Sequence, residues 1–208
     1  MIPSSPVDPV ARARSRRLLV LLACLFFGPI LLATALYQTG LGPTGRVNHG
    51  ELLNPARPLP ALPAATAATA ASGADTATTN LLVGHWTLLI VANQCAADCL
   101  DTLYRTRQVR TLLNREAERV QRFLVVPGTA PLPGTSRGQQ PDLRIIDGAQ
   151  PAALALRAAL DRAVPGAAGN GLYLVDPLGN LVMSYRGSFE NTGLLADLKK
   201  LLQLSSIG

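Results

Sequence analysis

The sequence predicts an α/β domain, a mixed sheet flanked by helices, behind one N-terminal transmembrane helix. Three observations lead there. Leu18 to Leu36 holds no charged residue; short apolar runs alternate with long breaker-free stretches from Leu81 onward; and Cys95 and Cys99, spaced C-x3-C, stand where an apolar run hands over to a stretch free of Gly and Pro. At about 1.5 Å rise per residue, the first of these covers the roughly 30 Å hydrocarbon core of a bilayer.

The chain has 208 residues and three cysteines, and its 19 Lys and Arg against 13 Asp and Glu give a net charge of +6. Arg12, Arg14, Arg16 and Arg17 supply much of that excess, just ahead of the apolar run, which is a topology signal that keeps the N-terminus cytoplasmic. Arg105, Arg107, Arg110, Arg115, Arg119 and Arg122 fall along a predicted helix and its exit and read as a solvated face, so no nucleic-acid partner is expected. Gly28 and Pro29 interrupt the anchor, which lipid-embedded helices tolerate. The run is too long for a typical cleaved signal, and Ala33-Thr34-Ala35 is a mediocre cleavage site, so the helix is expected to be retained. Leu21-Leu22-Ala23-Cys24 looks like a lipoprotein box, but the apolar run continues well past it, and Cys24 reads as a small residue within the anchor.

The expected organisation is a cytoplasmic basic tail over residues 1–17 and a single-pass helix of the inner (cytoplasmic) membrane over 18–37. A membrane-proximal segment and linker over 38–80 and a periplasmic domain over 81–208 follow. The linker reading rests on Pro55 to Asn80. Several Pro there precede an Ala/Thr run, Ala64 to Thr79, with no large apolar side chain to offset chain entropy, so the stretch is expected to act as a tether.

Within the domain, Trp86 to Ala92 is a continuous apolar run, the pattern of a strand buried on both faces. Ala97 to Ala117 lacks Gly and Pro and carries Leu100, Leu103, Leu112 and Leu113, which predicts a helix. Phe123 to Val126 is a second buried strand, closed by Pro127 and Gly128 and followed by a Gly/Pro/Ser loop to Pro141. Leu143 to Ile146 is a short strand or an extended lead-in. Pro151 suits the first position of a helix reaching about Ala163. Leu172 to Val175 and Leu181 to Tyr185 flank Asp176-Pro177-Leu178-Gly179-Asn180, whose Pro and Gly suit a tight turn, so the pair is a hairpin. Leu194, Leu195, Leu198, Leu201 and Leu202 line one face of a closing helix. The order is strand, helix, strand, loop, helix, hairpin, helix, with a right-handed parallel crossover first and antiparallel strands added to the same sheet. This is the thioredoxin-like order, and the cysteines lie at its first strand-to-helix junction.

Unpaired N–H groups and the positive dipole end at a helix start favour thiolates, which are both nucleophiles and metal ligands. Two thiols in one corner therefore imply redox or soft-metal chemistry. Asp98 and Asp101 flank Cys99; they favour the helix start while opposing thiolate formation. Outside the cytoplasm such a pair is either oxidised or kept reduced by dedicated partners. The sequence holds no paired carboxylates with a His, no Gly-rich phosphate loop and no Ser/His arrangement.

Several motifs together resemble the Sco/SenC-like branch of thioredoxin-fold proteins, membrane-anchored and related to cytochrome c oxidase assembly factors. They are Gly45-Arg46-Val47-Asn48-His49-Gly50-Glu51-Leu52-Leu53 with Arg57-Pro58-Leu59-Pro60, then Gly84-His85-Trp86-Thr87-Leu88, the C-x3-C pair, and Leu172-Tyr173-Leu174-Val175 running into the Asp176 to Asn180 turn. The resemblance implies that Cys95 and Cys99 form a redox pair that also holds copper. It implies delivery of that metal to the copper site of cytochrome c oxidase, or reduction of that site's thiols. The membrane is one partner, and an oxidase subunit or another assembly factor the other. The family's distant His would fall just before the penultimate strand, where this chain has Gly169-Asn170-Gly171, and His49 and His85 read as ordinary polar residues. Two thiolates alone make an open, exchangeable Cu(I) site. The spacing is not C-x2-C, and Pro165 is too early to precede the Leu172 strand directly. The expected role is an assembly factor rather than a classical enzyme. A general thiol–disulfide oxidoreductase and a docking module with an inert disulfide are the alternatives.

Overall fold

The computed structural model describes residues 9–39, 48–63, 79–127, 140–166, 171–187 and 189–205. It divides into two compact units, Met1–Val47 and Asn48–Gly208. The first contains helix α1 (Pro9–Thr39), which continues through Pro29 and takes up the second half of the basic tail. Its stretch Arg16–Thr39 is 24 residues, long and apolar enough to cross a membrane. Thr34 turns its hydroxyl back to the Ile30 carbonyl at 2.8 Å, which leaves that polar group satisfied within the helix.

The second unit runs β1 (Glu51–Pro58), β2 (Trp86–Val91), α2 (Ala97–Leu112), β3 (Val120–Val126), β4 (Leu143–Asp147), α3 (Pro151–Ala163), β5 (Gly171–Val175), β6 (Asn180–Tyr185) and α4 (Asn191–Leu204). The six strands form one sheet in the order β1-β6-β5-β2-β3-β4. β2 pairs in parallel with β3, and β3 with β4; β5 is antiparallel to both β2 and β6. The predicted thioredoxin-like arrangement is thus present, with a strand added at each edge.

All six residues of β2 are buried because the sheet is covered on both sides. Leu88 and Ile90 join Leu103 and Val109 of α2 and Leu194 and Leu198 of α4 in one core. Leu89 and Val91 join Leu156 and Leu160 of α3 in the other. The hairpin turn forms as its composition predicts. Asp176 accepts the N–H groups of Leu178 at 3.0 Å and Asn180 at 2.7 Å through Oδ1, and Gly179 takes a φ of +87°, open to Gly at little cost.

Three expectations are corrected. The helix expected over Ala97 to Ala117 stops at Leu112, and a 3₁₀ segment (Asn114–Arg119) follows. Asn114 carries the break with a φ of 53°, a left-handed conformation that Asn tolerates better than most residues. With the helix ended early, β3 in turn begins at Val120 rather than Phe123, and its polar residues are satisfied internally. The Gln121 amide donates to the Leu81 carbonyl at 2.7 Å and to Thr87 Oγ1 at 2.8 Å.

Arg122, expected on a solvated face, is the second such case and is fully buried against α2. Its guanidinium donates to the Leu103 carbonyl, Thr106 Oγ1 and Gln140 Oε1 and pairs with Asp142 at 3.0 Å. Neighbouring Arg119 reaches the Leu202 and Ser205 carbonyls. Arg107 and Arg115 are exposed as expected.

The third correction concerns the linker and the domain boundary at residue 81. Glu51–Pro58, placed in the membrane-proximal segment, is an edge strand antiparallel to β6, with an irregularity between Leu52 and Arg57. Leu62 is fully buried in the α3-side core, a burial that contributes about 2 kcal/mol. The Leu62 N–H donates to Asn80 Oδ1 at 3.0 Å, Leu81 N–H returns to the Leu62 carbonyl at 2.9 Å, and Pro63 bridges Asn80. Pro63 and Asn80, the residues that flank the Ala/Thr run, therefore meet against the domain. Most of that run, residues 64–78, lies outside the described residues, as do residues 40–47. The compact unit starts at Asn48 rather than Leu81.

Candidate functional site

The junction between β2 and α2 is built from its hydrogen-bond limits. Ala92 N–H still donates to the Val125 carbonyl of β3 at 3.0 Å, and the helix ladder opens with Leu100 N–H on the Ala96 carbonyl at 3.0 Å. Between them run Asn93 and Gln94, both exposed, and Cys95. Ala96 caps α2 with extended backbone and no side-chain bond, and Asp98 provides the acidic residue of the first turn, favourable at the positive dipole end.

Cys95 and Cys99 are joined by a disulfide, with 2.05 Å between sulfurs and 5.0 Å between Cα atoms. Cys95 stands just ahead of the Ala96 cap and Cys99 in the first turn of α2, so the entry of the chain into the helix brings the two sulfurs together. Their surroundings differ. Cys99 is 3% exposed within the core shared by α2 and α4, while Cys95 is only partly buried at its border. Taken as whole residues, Cys95 is the more exposed of the two, while Cys99 lines the neighbouring cleft.

Beside Cys99 opens a cleft of about 280 Å³ between the end of β2, α2 and the start of β5, lined by Ala92, Asp98, Asp101, Arg105, Leu172 and Phe189 among others. Arg105 holds Asp101 at 2.6 Å and donates to the Phe189 carbonyl at 3.3 Å, tying α2 to the segment before α4. Of the two acids expected to oppose a thiolate, Asp101 therefore has its charge paired locally.

Arg157 of α3 escaped sequence reasoning. Its Nη1 donates to the Ala92 carbonyl at 3.3 Å and its Nη2 to Asn93 Oδ1. No local signal separates it from Arg162 on the same helix, because its partners lie more than sixty residues away in sequence.

Neither histidine belongs to this site. His85 is exposed and precedes β2, at the strand end opposite the cysteines. His49 is exposed, donates its backbone N–H to Asp197 at 3.0 Å and lines a separate cavity of about 360 Å³ with Tyr185 and Glu190. Gly169 and Asn170, the place of the family's His, lie outside the described residues. Among the described residues no three His, Cys, Asp or Glu side chains gather in a metal-binding group. The donor set does not fit a three-ligand copper site. Once reduced, it offers two thiolates.

None of the curated protein sequences compared with this chain matches it. Solved structures do. The apo Sco1 protein from Thermus thermophilus superposes with a TM-score of 0.52 at 19% identity, over 77% of this chain and 99% of that one. A thiol:disulfide interchange protein of the thioredoxin family from Chlorobium tepidum TLS gives 0.48 at 16% identity, over 71% and 97%. Copper-bound yeast Sco1 gives 0.47 at 14% identity, over 60% and 82%. The first of these likenesses bears on the fold. A family description matches residues 86–205, more than half of the chain, from the first residue of β2 to just past α4. By that match the chain belongs to the family of transmembrane-like, thioredoxin-like C-terminal domains.

Proposed function

We propose that this protein is an inner-membrane-anchored thiol–disulfide protein whose domain works on the periplasmic side. There it serves cytochrome c oxidase assembly by reducing the thiols of the oxidase copper site. The observation that carries the reading is the asymmetry of the pair, with Cys95 partly exposed at the border of the core and Cys99 buried within it. Cys95 attacks a partner disulfide and Cys99 resolves the mixed disulfide. An inert bridge explains the pair less well. A disulfide closing so short a loop contributes about 2 kcal/mol at most by chain entropy, little reason to place it beside a cleft. The four arginines ahead of the anchor support a cytoplasmic N-terminus.

Copper delivery is the other form of the same role. The reduced pair would hold Cu(I) as exchangeable cargo between two thiolates, without a third ligand among the described residues. The lack of that ligand favours electron transfer over metal transfer.

The test is trapping in cell envelopes. Cys99→Ser is expected to accumulate a mixed disulfide with an oxidase subunit through Cys95, while Cys95→Ser accumulates none. Absence of any adduct with both variants, together with normal oxidase copper content in a strain lacking the protein, defeats the proposal. Anaerobic competition against a Cu(I) chelator separates the two forms: one-to-one copper uptake that vanishes in Cys95→Ser/Cys99→Ser selects delivery.

A further inference from the structure

We infer that Arg157 is a positioning residue for the redox pair, holding the loop that carries Cys95 in place when the disulfide is open. The inference rests on Cys95 and Cys99 being a working redox pair.

The loop leaves the sheet after Ala92, whose N–H is bound to Val125, and regains regular hydrogen bonding only at Ala96. Arg157 grips the intervening stretch from α3 at two points, the Ala92 carbonyl and the Asn93 side chain. A guanidinium is suited to this because its rigid fork presents parallel donors in one plane, which a lysine does not. α3 itself is well seated, with Ala153, Leu156 and Leu160 buried under the sheet. The grip therefore transmits the position of a packed helix to the residues just before Cys95.

Its effect differs between the two redox states. In the oxidised chain the covalent bond to Cys99 already fixes Cys95, and the Arg157 contacts are redundant for its placement. In the reduced chain the bond is gone, and Arg157 keeps the Cys95 sulfur near Cys99, which is fixed in the core of α2 and α4.

The redox step is complete in itself. The Cys95 thiolate attacks one sulfur of a partner disulfide and the partner's other sulfur leaves as a thiolate. The Cys99 thiolate then attacks the Cys95 sulfur, the Cys95–Cys99 bond forms, and the second partner thiolate departs. Two electrons have moved from the pair to the partner. Ring closure costs less when Cys95 is already held, so Arg157 raises the effective concentration of one sulfur at the other. Loss of Arg157 frees the reduced loop more than the oxidised one and makes the pair easier to reduce.

The test uses the full-length chain in detergent, with Cys24→Ser to remove the third thiol, equilibrated in glutathione buffers of graded ratio. Arg157→Ala is expected to lower the oxidation equilibrium constant about tenfold, a rise in potential of about 30 mV. Arg157→Lys is expected to fall between it and the parent, and Asn93→Ala to give a smaller shift in the same direction. Thermal unfolding of the oxidised variants is expected to stay near the parent's. Should Arg157→Ala not fold, Asn93→Ala decides alone. A constant within twofold of the parent in the folded Arg157→Ala chain, or in Asn93→Ala when that variant must decide, overturns the inference. A parent whose disulfide does not exchange with glutathione at all overturns instead the redox reading beneath it.

Discussion

Asp197 of α4 accepts the Tyr185 hydroxyl of β6 at 2.8 Å, and the same Oδ2 takes the Gly50 N–H at 2.9 Å. The carboxylate is 3% exposed and also accepts the His49 N–H at 3.0 Å. One buried charge thereby joins the closing helix, the last strand and the start of the segment that becomes β1. The ring of His49 sits where a Cβ on Gly193 would fall, 2.7 Å from its Cγ, so only Gly lets α4 approach this segment.

Asp197→Ala removes every acceptor in that cluster. Buried donors left without partners cost about 1–3 kcal/mol each. The expected loss is about 3 kcal/mol in urea unfolding of the full chain, with faster amide exchange at His49 and Gly50. Unchanged exchange at both amides would contradict this role.

Tyr185 also makes the fold sensitive to alkali. Burial raises its hydroxyl pKa far above the ordinary range, helped by its hydrogen bond to Asp197 and by that carboxylate's charge; burial raises Tyr173 as well. Unfolded tyrosines ionise near pH 10. Above that pH the unfolded chain releases protons that the folded chain keeps, so this stabilisation is complete below about pH 10 and declines as pH rises toward the folded values. Urea midpoints measured from pH 8 to 11 are expected to fall only in the upper part of that range. Tyr185→Phe is expected to flatten the decline.

Arg122 and Asp142 give a third prediction. Burial pulls the guanidinium below its ordinary range, while the charge and hydrogen bond of Asp142 pull it back. Arg122→Met takes the Arg122 hydrogen bonds from Asp142 and Gln140, leaving Asp142 the longer pair with Arg110 at 3.8 Å, and leaves the Thr106 hydroxyl with fewer partners. Breaking a fully buried pair from one side costs about 3–5 kcal/mol, and because Asp142 is 20% exposed and keeps Arg110, the loss here is expected at about 3 kcal/mol. Denaturant titration is expected to show that loss for Arg122→Met and a partial recovery when Asp142→Asn is added. A double variant no better than the single one would mean that lost packing, not the weakened pairing of Asp142, accounts for the cost.

The meeting of Pro63 with Asn80 predicts the outcome of a deletion. Closing a loop costs free energy that grows with the logarithm of its length. Replacing residues 64–78 by a short Gly-containing turn is therefore expected to raise stability by about 1 kcal/mol in thermal or urea unfolding. A tether lying outside the folded unit would leave stability unchanged, and the experiment distinguishes the two.

Elements whose cause is local could be read from the residues alone. Leu18 to Leu36 forms a helix in any order of the remaining chain because its apolar length and lack of charge are properties of the segment. Trp86 to Val91, Pro151 at the start of α3 and the Asp176 to Asn180 turn are of the same kind. The nearness of Cys95 and Cys99 was legible too, since a spacing this short at a strand-to-helix junction keeps both thiols in one corner.

Features that needed distant partners were not. Glu51–Pro58 has seven of its eight residues exposed and contains Pro55 and Pro58, the composition of a linker, and becomes a strand only because β6 offers a free edge. Arg122 reads as a surface charge until Leu103, Thr106, Gln140 and Asp142 converge on it. The contrast between a partly exposed Cys95 and a buried Cys99 depends on α4 packing over α2, and the hold of Arg157 on Asn93 on α3 packing beneath β2. Covalent neighbourhood sets backbone preference and spacing. Burial and hydrogen-bond partnership between segments far apart in the chain arise only once the two layers of helices close on the sheet.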